Sequence, residues 1–154
     1  MVKSAAESGD LHVLVVGNNP IDLSHTFERL QKAGGKRIST EIAFDLKSLF
    51  DRLVHFTPNF IVLDDNIGQP ELKATVSALQ THRKTKHIPI TVLKNSNYQE
   101  AMNTGVLNYL LKDSVTSESL YTAFKNSLKF KRTQEYLQQA YRKRKGQLLR
   151  ILNP

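Results

Sequence analysis

The chain has 154 residues, 40% hydrophobic and 23% charged, which suits one soluble domain with a buried core. It contains no cysteine, so disulfides and thiolate metal sites are excluded, and no apolar run reaches the ~20 residues of a membrane-crossing helix. The net charge of +8 sits at one end: residues 1–124 hold 13 Lys/Arg and 13 Asp/Glu, whereas 125–154 hold nine basic residues against Glu135 alone.

In chain order, residues 1–10 ("MVKSAAESGD") lack the apolar stretch of a secretory signal and are expected to form a flexible leader. "LHVLVV" (11–16) reads as a buried strand that ends in "GNNP". A helix is expected over Ile21 to Ala33, with Leu23, Phe27 and Leu30 on one face and the glycines of "AGGK" as its stop. "ISTEIAF" (38–44) is the second strand, followed by a helix over Leu46 to Phe56 with Leu46, Leu49, Phe50 and Leu53 inward. "NFIVL" (59–63) and "IPITVL" (88–93) are strands each preceded by a proline, with a helix over Glu71 to His82 between them. A short helix over Tyr98 to Asn103 and a last strand, "NYLL" (108–111), lead into a long helix from Ser117.

In that last helix Leu120, Ala123, Phe124 and Leu128 suit a sheet-covering face. Beyond them Phe130, Leu137, Tyr141, Leu148 and Ile151 follow a 4-3 spacing with Gln134 and Arg144 in the gaps, an imperfect coiled-coil seam. Gly146 weakens this helix by about 1 kcal/mol relative to alanine. The expected division is therefore a leader (1–10), a domain (11–130) and a basic helical extension (131–154).

Five β–α alternations with short connections predict an α/β fold, a doubly wound five-stranded parallel sheet. Sites in this class lie outside the carboxyl ends of the strands. That rule nominates Gly17 to Asn19, Asp64 and Asp65, Lys94 and Asn95, and Lys112 and Asp113. The five histidines show no metal-ligand spacing, and "AGGK" comes after a helix and precedes a strand, the reverse of a phosphate loop.

In order and spacing, "VLVVGNNP", "PNFIVLDDNIGQPE", "IPITVLKN" and "NTGVLNYLLKDS" resemble the receiver domains of two-component response regulators, over about Leu11 to Lys131. The segment "LYTAFKNSLKFKRTQEYLQQAYRK" resembles the helix that joins many receivers to a following module. The resemblance implies a flavodoxin-like (βα)5 receiver fold with an extended C-terminal helix. It places the phosphoacceptor position at Asp64, the family's lysine at Lys112, its Thr/Ser position at Lys94 and its switch aromatic at Tyr109. The family's acidic, Mg²⁺-binding pair falls on Gly17 and Asn18, which carry no charge.

This chain therefore resembles a degenerate receiver. It is expected to be cytoplasmic, to lack enzymatic activity and a cofactor, and to act through protein contacts. Its partner is expected to be a sensor kinase or other signalling protein, a second copy of itself through the C-terminal helix, or a domain beyond Pro154. Asp64 and Lys112 are expected to form a neutral pocket bordered by Asp65 and Lys94, with at most weak Mg²⁺ at Asp64 and Asn18. Plainer roles stand beside these. Asp64 can serve as a structural partner of Lys112, Asp65 as a loop cap, and Gly17 as a tight turn. Asn18 and Asn19 ahead of Pro20 can cap a helix, and Tyr109 can be a packed ring. The alternative functions are a conventional phosphoacceptor that uses Mg²⁺, and a nucleic-acid binder through "RKRK" (142–145), a run that reads more simply as a solvated face.

Overall fold

The computed structural model describes residues 10–34, 38–95, 106–112 and 114–152. Residues 1–9 of the leader expected over 1–10, the helix expected over Tyr98 to Asn103, and Asp113 lie outside the described residues. Strands β1 (Leu11–Val16), β2 (Ile38–Ala43), β3 (Phe60–Asp64), β4 (Ile90–Lys94) and β5 (Val106–Leu111) form one sheet. All pairings are parallel and the order is β2-β1-β3-β4-β5. The chain winds outward from β1 in one direction and from β3 in the other, so their adjacent carboxyl ends mark the switch point of the sheet.

Alternating strand residues supply two cores. On one face Leu14, Val16, Ile61, Leu63 and Val92 pack with residues of α2 (Leu46–His55) and α3 (Gln69–Thr81). On the other Val13, Val15, Phe60, Val62 and Leu93 pack with residues of α1 (Pro20–Gly34) and α4 (Ser117–Leu152). Every residue of β3 is buried, as a central strand covered on both faces requires. Asn59 extends the β1–β3 ladder past its amino end: its Oδ1 accepts from the His12 amide at 2.8 Å and its Nδ2 donates to the Asp10 carbonyl at 3.0 Å.

Local chemistry sets the helix starts. Asn19 Oδ1 accepts from the amides of Ile21 (3.0 Å) and Asp22 (3.2 Å), which caps α1 with Pro20 at its first position. Asp45 and Ser48 form a reciprocal capping box on α2. Hydrogen bonding to Ser48 holds the Asp45 carboxyl below its ordinary value. Gly68, ahead of α3, has φ +91°, a conformation that glycine alone adopts without strain.

Two expected core positions need correction. Phe27 and Phe50 are 42% and 44% exposed. In α1 the buried face runs through Leu23, Thr26 and Leu30, because the i+3 position, rather than i+4, meets the sheet. Phe50 instead stacks on His82 across the α2–α3 surface, with ring centroids 6.1 Å apart. Strand β5 starts at Val106, two residues before the expected run, and a register shift beside Ile90 and Thr91 accommodates it.

At 36 residues α4 is about 54 Å long. Its buried residues, Leu120, Ala123, Phe124 and Ser127, all lie in the first third. Beyond Leu128 the helix continues unbroken, so the expected boundary at 130/131 falls within a single helix. Phe124 meets Phe60 edge-on at 5.7 Å and ties α4 to the centre of the sheet. Phe60→Ala should therefore lower unfolding stability by about 3–5 kcal/mol in urea titration. The loss should exceed that of a truncation at exposed Tyr136.

Candidate functional site

The carboxyl ends of β1, β3, β4 and β5 converge on the ammonium of Lys112. Lys112 leaves the end of β5, and its amide donates to the Lys94 carbonyl at 2.8 Å, which continues the ladder and aims its side chain across the strand ends. Its Nζ forms a close ion pair with Asp64 Oδ1, lies 3.2 Å from Asp22 Oδ2 and 3.9 Å from Asp65 Oδ1. The Lys112 and Asp64 side chains are only 11% and 3% exposed. Asp64 Oδ1 also accepts from the Asn66 amide at 2.9 Å, which closes the short turn Asp65–Ile67 after β3.

A chain of polar contacts surrounds this pair. Asn66 Nδ2 donates to Asp22 Oδ2, and Asn95 Nδ2 donates to Asn66 Oδ1. The Asn95 amide donates to Asp65 Oδ2 at 3.1 Å. Three loops are thereby joined: the first turn of α1, the turn after β3, and the end of β4. Asp65 Oδ1 is buried without a hydrogen bond, its nearest cation being Lys112.

The remaining candidates lie around this cluster. Gly17 is buried beside Asp64: a Cβ there would meet Leu23 Cδ2 at 2.9 Å and Asp64 Cβ at 3.2 Å. Its φ is not positive, so close approach rather than turn geometry explains the glycine. Asn18 is exposed, and Asn19 is the α1 cap. The Lys94 ammonium lies over the Tyr109 ring, 5.2 Å from its centroid, and Tyr109 packs against the sheet core.

Asp22 and Asn66 were missed in the sequence. Asp22 had a signal: it stands three residues after the Asn19 cap, in the helical turn that points at the switch point. Asn66 had none, because its role depends on where α1 lies. With Asp22 included, the expectation of a neutral pocket needs correction. Three carboxylates face Lys112, and negative groups stay in excess even with Lys94 counted. Burial pushes the Asp64 carboxyl above its ordinary value and the Asp22 charge adds to the rise, while Lys112 and the Asn66 amide pull it down.

A divalent cation fits this donor set poorly. Gly17 offers no side-chain ligand, Asn18 is neutral and exposed, and Asp22, Asp64 and Asp65 all face the Lys112 ammonium. Among the described residues, no group of three or more His, Asp or Glu side chains is placed to hold a metal ion.

Neither a family model nor a curated protein matches this chain in sequence. Solved structures do match in fold. The N-terminal domain of a response regulator/sensory box/GGDEF protein from Carboxydothermus hydrogenoformans superposes with TM-score 0.63 at 19% identity, covering 79% of this chain and 97% of that one. The receiver domain of a sensor histidine kinase from Pseudomonas aeruginosa, with magnesium coordinated in its active-site cleft, gives 0.64 at 15% identity, covering 77% and 97%. A fusion carrying a trimeric coiled coil from yeast Spc42 gives 0.62 at 18%, covering 91% and 95%. At these identities the likeness shows the fold: this chain has a receiver fold.

Lys112→Met leaves the buried carboxylates without their cation and should cost about 3–5 kcal/mol at neutral pH. Without its partner, the folded Asp64 carboxyl holds a proton more tightly than the unfolded one. The deficit should therefore be smallest below the ordinary carboxylate range and grow as pH rises through the raised value. Urea unfolding at about pH 4 and about pH 7 reads this difference.

Proposed function

We propose that the chain is a receiver-like signalling module of a two-component or phosphorelay pathway that passes its state through protein contacts. The observation that carries this reading is the engagement of Asp64 by Lys112, in a site where Gly17 and Asn18 stand at the acidic-pair positions. A metal ion at such a site would offset charge as a phosphoryl group arrives. Here the resident cation is a lysine, tethered at the end of β5, the strand that carries Tyr109, and unable to leave with a ligand. The module is read as non-enzymatic and without a cofactor, as cytoplasmic, and as a partner of a sensor kinase or another signalling protein. The projecting half of α4 is its contact surface. Basic charge on that helix without a base-reading element favours protein contact over nucleic acid. Among the described residues no helix is long and apolar enough to cross a membrane.

One observation favours a second reading, a conventional phosphoacceptor at Asp64. The excess of carboxylates over Lys112 would attract a divalent cation if the lysine swung away. One experiment separates the two. After incubation of the chain with a small acyl-phosphate donor and Mg²⁺, intact mass should show no adduct of about 80 Da, the mass of one phosphoryl group. Ready labelling that maps to Asp64 would establish the second reading.

A further inference from the structure

We propose that the projecting half of α4 pairs antiparallel with the same segment of a second copy, in a register that places Gln134 against Arg144. This rests on the reading of α4 as the contact surface and names its partner. The seam residues are available: Phe130 is 42% exposed, Leu137 54%, Tyr141 68%, Leu148 59% and Ile151 73%. This stripe, with Tyr136, Leu149 and Leu152 exposed beside it, leaves a continuous apolar surface on the helix uncovered.

Two polar residues in the stripe select the orientation. Between Phe130 and Ile151 the alternating seam positions are Phe130, Gln134, Leu137, Tyr141, Arg144, Leu148 and Ile151. A parallel pair in register sets Arg144 against Arg144, a like-charge layer in the middle of an apolar seam. Reversing one helix about its centre sets Phe130 against Leu148, Leu137 against Tyr141, and Gln134 against Arg144. Every apolar residue from Phe130 to Leu148 then meets an apolar one. Each guanidinium faces a neutral amide oxygen that can accept from it.

The base of the helix fits the same arrangement. A crevice of about 520 Å³ opens beside α4, lined by Phe130, Gln134 and Gln138 on the helix and by Ile88, Pro89 and Val106 of the body. The register sets the partner's Leu148 at the level of Phe130, at the mouth of this crevice. Net positive charge on both helices opposes pairing at low salt, and at physiological ionic strength charges beyond about 8 Å are largely screened.

The absence of cysteine makes introduced thiols unambiguous. Full-length Gln134→Cys and Arg144→Cys chains should form a disulfide-linked dimer only when mixed, and neither variant alone should do so. Sedimentation of the unmodified chain at physiological salt should give a dimer. Leu137→Asp should return it to monomer with its helical content retained. Self-linking of either single variant would overturn the orientation, and a dimer that links in no mixture would overturn the register. A monomeric unmodified chain would remove the second copy as partner. Labelling of Asp64 by the phosphodonor is read independently, so failure here and failure of the signalling reading are told apart.

Discussion

A single ammonium holds together the end of the molecule where four strands converge. Lys112 is nearly buried among Asp64, Asp22 and Asp65, which reach it from the end of β3, the first turn of α1 and the turn after β3. Burying charge is costly, and an ion pair offsets that cost only when its remaining lone pairs are also satisfied. The asparagines satisfy part of this need: Asn66 bridges Asp64 and Asp22, and Asn95 bridges Asn66 and Asp65, while Asp65 Oδ1 has only the Lys112 charge at 3.9 Å. Removing the lysine would unbalance every one of these segments at once, whereas removing one asparagine would loosen a single bridge.

The parallel sheet makes this convergence possible. Strand order brings β1 and β3 side by side at the switch point, with Gly17 close against Asp64. The backbone ladder from β4 to Lys112 delivers the cation from the other side. The same ladder places Tyr109 under Lys94, so the two lysines reach different surroundings: one a carboxylate cluster, the other an aromatic face. Lysine tolerates both, since its long apolar stem can run along the sheet while the charge finds a partner.

Much of this architecture was legible in the sequence. The five strands are marked by short runs of branched apolar residues, and their parallel order by alternation with helices. Asp64 closes β3, Asp65 comes directly after it, and Lys112 comes directly after β5, the places where a sheet of this class carries its site. The features that escaped the sequence depended on the third dimension. Asp22 belongs to a helix rather than to a strand end, and only the angle at which Asn19 launches α1 turns it inward. Phe27 and Phe50 read as core because aromatic residues at helical spacing usually are. The sheet met the neighbouring stripe instead, and Thr26 is buried in place of Phe27. Gly17 was legible as a glycine but not as a contact, since the crowding comes from Leu23 and Asp64.

The continuity of α4 carries a mechanical consequence. No proline interrupts it between Ser117 and Leu152, and the segment that packs on Phe60 belongs to the same rod as the segment that projects. From Phe130 to Leu152 the rod extends about 33 Å beyond its last supports. A tilt of roughly 10° at the base would swing its tip by about 6 Å, comparable to one turn of helix. Any repacking around Phe124 that tilts the helix is thus enlarged along the rod, and the distal residues move farther than the core that drives them.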